Sequence, residues 1–207
     1  MLNFLKKHSS PVLSHVLWLI SGLGLLIGNL IFLIDTQYAE AAGFLPALLI
    51  MVLYGFLGHA LRKKNKILSL GILTALIGLL MYVSVLGISD GLFSCFRCAD
   101  ELVKAELTAN WIWLFSNVAF LVGCFTLLLG KYVLTNKKAL ATSISVIAFL
   151  ADFLVCLVAY IIYFVGAGNT LTAAEAGYEI FTSIYELLIP LAILISTSCT
   201  ESLTKAQ

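Results

Sequence analysis

The chain has 207 residues, of which 61% are hydrophobic and only 11% carry a charge. A soluble domain of this length cannot bury so much apolar surface, so we predict one membrane domain covering 1–207. The formal net charge of +1 does not indicate a nucleic-acid partner.

Six apolar runs are long enough to cross a bilayer as helices, which takes about 20 residues. The fifth is long enough to tilt or to project past the membrane. The first is too long for a cleaved signal peptide and no small-residue cleavage site follows it, so we interpret it as a retained helix. Ser10 is suited to cap this helix, and Pro11 to occupy its first position. The predicted fold is therefore all-α, a bundle of six transmembrane helices near 12–34, 41–61, 67–88, 110–130, 139–166 and 177–197.

The distribution of basic residues predicts the orientation in the membrane, because cytoplasmic loops are rich in Lys and Arg. When six spans are threaded, only Arg97 and Lys104 fall on the acidic outer side. Both termini are therefore expected in the cytoplasm, and the expected location is the bacterial inner membrane. The ten basic residues on the cytoplasmic side are Lys6, Lys7, Arg62, Lys63, Lys64, Lys66, Lys131, Lys137, Lys138 and Lys205.

The loop Arg62–Lys66 carries four of these charges and is interpreted mainly as a topology signal that meets anionic headgroups. It could also dock a cytosolic protein. On the other side, residues 89–109 are predicted to form the longest outer loop, with a short exposed helix over Ala99–Leu107.

Cys95 and Cys98 form a C-x-x-C pair in this outer loop. Two cysteines do not complete a zinc site, which takes four ligands, so no metal is predicted. In an oxidising compartment the pair can form a disulfide, and it can also exchange thiols. A local structural or incidental pair is favoured, because membrane thiol oxidases of the DsbB kind need a second outer pair that this loop does not supply.

Two acids lie near the middle of predicted spans, Asp152 in the fifth and Glu186 in the sixth. A carboxylate at the bilayer centre costs about 2.5 kcal/mol or more, so such residues are functional candidates by default. If the two helices pack together, the pair could bind a proton or a cation, since two close carboxyls do not both ionise readily. The alternative is that Asp152 faces another helix and pairs there with Asn29, Asn117 or a serine.

Pro190 follows Glu186 by four residues, so the backbone carbonyl of residue 186 loses its helical donor. A carboxyl group and an unpaired carbonyl then share one turn, and we expect a kink that serves as part of a gate. Tyr185 and Ser183 can supply hydroxyl groups to this site. The alternative is a protonated Glu186 that bonds to a neighbouring helix and only stabilises it.

His15 and His59 lie near the predicted cytoplasmic ends of the first two spans. Because histidine titrates near neutral pH, they could form a proton entrance. The favoured interpretation is that they are interfacial residues bonded to water or backbone. Histidines on two helices could also ligate haem, but no further pair supports this and no cofactor is predicted.

Small residues recur at four-residue spacing, a pattern that lets helices approach closely in lipid. The pairs are Gly24 and Gly28, Gly71 and Ala75, and Ala119 and Gly123. We interpret them mainly as packing within the bundle and otherwise as contacts of a homo-oligomer.

A weak internal repeat matches the run Trp18–Gly28 to the run Trp113–Gly123, and the following spans align more loosely. Two halves of three spans each would be inverted relative to one another, which is a recurrent transporter plan. In this alignment Asp152 and Glu186 replace glycines of the first half.

No nucleophile elbow, phosphate loop or metalloprotease motif is present in the sequence, so we expect no enzyme activity. The leading hypothesis is a small transporter or channel for a solute or ion that uses Asp152 and Glu186. A rival hypothesis is a non-catalytic, oligomeric sensor or anchor that recruits a cytosolic partner, for example in a stress or phage-defence complex. The third is a membrane thiol–disulfide oxidoreductase.

Overall fold

A computed structural model describes residues 10–36, 41–97, 103–168 and 171–203. These residues form six α-helices and one short 3-10 turn, Thr135–Lys137, and none of them lies in a β-strand. The helices are α1 Pro11–Thr36, α2 Ala41–Arg62, α3 Lys66–Arg97, α4 Lys104–Tyr132, α5 Lys138–Ala167 and α6 Ala173–Ser202.

All six helices are long and apolar enough to cross a membrane, as predicted. α5 has 30 residues and is therefore about 45 Å long. As predicted, it is longer than the thickness of the hydrocarbon core of a bilayer. Large apolar side chains remain outside the core of the chain, such as Ile67 at 84% exposed and Val165 at 82%. This distribution is compatible with a multi-pass membrane protein, in which lipid covers such side chains.

Residues 89–109 were predicted as an outer loop, but most of those that the structure describes are helical. α3 continues to Arg97, since Leu92, Phe93 and Phe96 follow a helical spacing and no proline interrupts them. Trp111 contacts Phe96 edge-on, with ring centroids 5.3 Å apart. The predicted helix over Ala99–Leu107 falls partly outside the described residues, and α4 begins at Lys104.

Side-chain caps fix the starts of two helices. Ser10 Oγ accepts a hydrogen bond from the Leu13 amide at 3.0 Å, and Pro11 is the first residue of α1, which confirms both assignments. Thr172 and Glu175 form a capping box at the start of α6, with a bond from the Thr172 amide to the Glu175 carboxylate at 2.8 Å.

The basic loop is a tightly bonded turn rather than a flexible linker. The Asn65 amide bonds to the Ala60 carbonyl at 3.0 Å, and the Lys64 amide to the Leu61 carbonyl at 3.1 Å. These two bonds form a Schellman motif, whose key position takes a left-handed backbone. Lys64 occupies that position with φ of 51°. Asn65 Oδ1 then accepts a bond from the Leu68 amide at 3.1 Å and starts α3.

Replacing Lys64 by glycine is expected to raise the free energy of unfolding by about 1 kcal/mol, because glycine adopts positive φ without a steric cost. The measurement is unfolding by sodium dodecyl sulfate in mixed micelles, followed by tryptophan fluorescence. Lys63→Gly removes the same charge at a residue that does not have a positive φ, so it should not stabilise the protein. Equal effects of both variants would contradict this account of the turn.

The chain divides into two compact units. The first contains residues 1–79 and 177–207, and therefore α1, α2, the start of α3 and nearly all of α6. In this unit α1 packs against α2, with the rings of His15 and Tyr54 4.9 Å apart. The other face of α1 lies on α6, where a Cβ added at Gly24 would lie 2.7 Å from the Phe181 carbonyl oxygen.

The second unit contains residues 80–176, in which α4 and α5 form an antiparallel pair. Contacts run from one end of the pair to the other, and residue numbers fall along α5 as they rise along α4. Close approaches at the two ends join Ala105 to Gly166 and Gly130 to Ala141. Between them, the Ser145 hydroxyl donates to the Gly123 carbonyl at 2.7 Å. α4 and α5 are therefore antiparallel neighbours.

The small-residue pairs do not all have the same environment. Gly24 and Gly28 lie against the backbone of α6, which confirms internal packing for that pair. Gly71, in contrast, has nothing within 4 Å of an added Cβ.

The inverted repeat stays a prediction, because the two compact units do not coincide with the two predicted halves. Matched positions also make different contacts. Gly28 lies against α6, whereas its counterpart Gly123 lies against the Phe149 ring of α5.

Candidate functional site

Asp152 lies at the middle of α5 and is 5% exposed. The Ser116 hydroxyl of α4 donates a hydrogen bond to Asp152 Oδ1 at 2.5 Å. It also approaches the Asp152 backbone carbonyl at 3.3 Å. The serine is itself 4% exposed, so the carboxyl group and its donor are enclosed between the two helices.

The hydrogen bond from Ser116 lowers the energetic cost of a carboxyl group within the membrane. A charged side chain at the bilayer centre costs about 2.5–3.5 kcal/mol by permissive scales. A hydrogen bond to a charged group returns about 1.5–3 kcal/mol. These two magnitudes are similar, so the bond from Ser116 offsets most of the cost of a charge at Asp152.

Sequence reasoning considered a serine as the partner of Asp152 but did not identify Ser116. The sequence does carry a signal for Ser116, in the residues that face each other between α4 and α5. Along α4 they recur every seven residues, as Ala109, Ser116, Gly123 and Gly130. Along α5 the same spacing gives Ser145, Asp152, Ala159 and Gly166. A seven-residue repeat predicts a continuous contact between two helices, and it places Asp152 within that contact.

The remaining residues of the predicted ion site lie in the other compact unit. Glu186 is half-buried on α6, and Tyr185 beside it is 8% exposed. Pro190 is buried within α6, which continues through it to Ser202. Because Asp152 and Glu186 belong to different units, their pairing stays a prediction, as do the kink and gate at Pro190.

The two histidines of the predicted proton entrance have different environments. His59 is exposed on α2. His15 lies on α1 and packs against Gly58 of α2. A Cβ added at Gly58 would lie 2.6 Å from His15 Nδ1. That nitrogen is buried and has no hydrogen-bond partner. The two residues therefore do not share one environment, and the entrance stays a prediction.

Cys95 lies in the last turn of α3 and is 5% exposed. Cys98 is outside the described residues, so the predicted disulfide is not tested. Burial of Cys95 limits the access of a second thiol, which a thiol–disulfide exchange site needs.

A polar cluster between α1 and α6 was not predicted. Trp18 Nε1 donates to Ser196 Oγ at 2.7 Å, and Ser14 Oγ lies 2.7 Å from the same oxygen. Trp18 and Ser196 are both 0% exposed, and Ser14 is 1% exposed. The cluster joins residues at the two ends of the chain, a distance at which sequence spacing carries no signal.

Within the described ranges, no group of three or more His, Cys, Asp and Glu residues is placed to hold a metal ion. No protein-family model matches the chain, and neither a curated protein nor a solved structure shows significant similarity to it.

Proposed function

We propose that this protein is a small membrane transporter or channel in which Asp152 exchanges a proton or binds a cation during transport. The observation that supports this proposal is the buried carboxyl group in the middle of a membrane-spanning helix, hydrogen-bonded by Ser116 on the neighbouring helix. Intramembrane acids that face the protein interior commonly mark proton and ion pathways.

The proposal assigns the second carboxyl group of the pathway to Glu186, with Tyr185 beside it. Pro190 has no amide hydrogen to donate to the carbonyl of residue 186, and we assign the turn that holds both residues to cation binding or gating. His15 and His59 would connect the pathway to the cytoplasm. We further propose that both termini lie in the cytoplasm of a bacterial cell, and no catalytic step is assigned.

The direct test is proton flux into liposomes that contain the purified protein and a trapped pH-sensitive dye. A potassium gradient with valinomycin supplies the driving potential. We expect Asp152→Asn to lower the flux to the level of protein-free liposomes, because asparagine keeps the shape and a hydrogen bond to Ser116 but cannot titrate. Asp90→Asn removes an exposed acid on α3 and should leave the flux unchanged. Undiminished flux in Asp152→Asn would exclude the proposed role.

Glu186→Gln tests whether transport needs both carboxyl groups or Asp152 alone. If the two acids act together, this variant loses flux as Asp152→Asn does. Wild-type flux in Glu186→Gln, with none in Asp152→Asn, would retain the site at Asp152 and reject the pair.

The second candidate function is a membrane anchor or sensor that binds a cytosolic protein. It is favoured by the basic loop, in which Arg62, Lys63 and Lys64 are exposed and the backbone is fixed by two hydrogen bonds. A rigid positive surface loses little entropy when it binds an acidic partner. A cytosolic protein that co-purifies with wild type and Asp152→Asn, but not with a Lys63→Gln/Lys64→Gln variant, would favour this function over transport.

A further inference from the structure

The turn between α4 and α5 contains a cleft of about 90 Å³. Its surface is apolar throughout, so Lys137 lines it with the methylene stem and not with the charged group. The residues that line it are Thr126, Leu129, Leu134, Lys137, Leu140, Ala141 and Ile144. The cleft is far smaller than the roughly 300 Å³ or more of a typical small-molecule pocket, so it suits part of an extended chain and not a compact solute.

The backbone explains why a cleft is present here. An added Cβ at Gly130 would lie 2.5 Å from the Cβ of Ala141, so the two helices nearly touch at its base. Beyond that contact the amides of Val133 and Leu134 both bond back to the carbonyl of Leu129, and the chain turns away. The two helices are thus in contact at Gly130 and Ala141, and α4 ends two residues beyond that contact, at Tyr132.

Apolar side chains at this turn remain uncovered by the protein. Val133 is 67% exposed, Leu140 is 59% exposed and Leu134 is 40% exposed. Since α4 and α5 are both candidate membrane spans, the turn that joins them lies at a boundary between lipid and water. Acyl chains can cover such side chains, whereas water cannot do so without a cost in free energy.

The charge around the cleft is positive. Lys137 lies in this turn, Lys131 and Lys138 lie at the adjoining helix ends, and no Asp or Glu occurs between residues 126 and 144. α5 begins at Lys138 with no acidic residue in its first turn and no side-chain cap from Lys137. The positive end of the helix therefore adds to the charge of the lysines.

We propose that this cleft binds one anionic phospholipid, with an acyl chain along the apolar surface and the phosphate beside Lys137. The apolar lining selects a lipid over a free phosphate, and the positive rim selects an anionic headgroup over a zwitterionic one. The inference does not depend on the proposed transport function, because it concerns a different surface.

The test is native mass spectrometry of the detergent-purified protein titrated with dioleoyl phosphatidylglycerol, and in parallel with dioleoyl phosphatidylcholine. We expect one phosphatidylglycerol per chain to bind with higher affinity than phosphatidylcholine. Lys137→Gln should weaken this binding about fivefold, which corresponds to the loss of one lysine near an anionic lipid. Lys104→Gln removes one exposed charge at the opposite end of α4 and should leave the binding unchanged.

A second pair of variants tests the acyl-chain site without changing charge. Ile144→Phe adds volume within the cleft and should reduce phosphatidylglycerol binding, whereas Ile147→Phe makes the same change outside it, at a side chain that is 67% exposed. Equal binding by both phenylalanine variants would overturn the proposal. So would equal losses in Lys137→Gln and Lys104→Gln, or binding of glycerol phosphate as strong as that of the whole lipid.

Discussion

Replacing Gly24 by alanine is expected to lower the free energy of unfolding by about 2 kcal/mol, as overpacked substitutions commonly do. The added Cβ would lie 2.7 Å from the carbonyl oxygen of Phe181, which belongs to the backbone of α6 and cannot rotate away. The two helices would have to separate, and the neighbouring contact at Gly28 would loosen with them.

Gly71→Ala is the matched control, because an added Cβ there has nothing within 4 Å. The same change should be neutral or stabilise α3 by up to about 1 kcal/mol through helix propensity. Unfolding by dodecyl sulfate in mixed micelles measures both variants. Equal destabilisation of the two would show that α1 and α6 do not approach closely at Gly24.

Ser196→Ala is expected to destabilise the protein by about 2 kcal/mol, because it leaves the buried indole N–H of Trp18 without an acceptor. The Ser14 hydroxyl loses the same partner. Ser198→Ala is the control, since the hydroxyl of Ser198 bonds to the Leu194 carbonyl of its own helix. We expect that variant to change stability by less than about 0.5 kcal/mol.

A double-mutant cycle isolates the contact between the two residues. Trp18→Phe removes the donor, so adding Ser196→Ala to that variant should cost much less than Ser196→Ala alone. Additive losses would indicate that the two side chains do not share a hydrogen bond. The cycle also tests whether α1 and α6 are neighbours, although 178 residues separate the two positions.

The features that sequence reasoning predicted correctly are local. Spanning helices follow from runs of apolar residues, and the start of α1 follows from Ser10 and Pro11, whose chemistry acts within one turn. The extension of α3 to Arg97 was missed because polar residues were taken to end the span, although helix formation does not require continuous apolarity. An apolar run therefore marks where a helix is buried in lipid and not where it ends.

The contacts of the candidate site were less predictable. Asp152 was identified from its cost in lipid, but its partner depends on how each helix is rotated, and leucine-rich helices show little polarity to fix that rotation. The seven-residue spacing of Ser116 and Gly123 carries this information, yet it is hidden among apolar residues of every size. The Trp18–Ser196 contact has no comparable signal, because it depends on which distant helices meet.

The central claim is that α5 crosses the membrane with Asp152 between its two ends. The substitutions Asn136→Cys and Ala173→Cys, each made singly in a variant without the native cysteines, place a thiol beyond either end of this helix. Intact bacterial cells are treated with a membrane-impermeant maleimide before and after permeabilisation. We predict that Ala173→Cys reacts in intact cells and Asn136→Cys only after permeabilisation. Reaction of both positions from the same side would contradict the account, because Asp152 would then not lie within the bilayer.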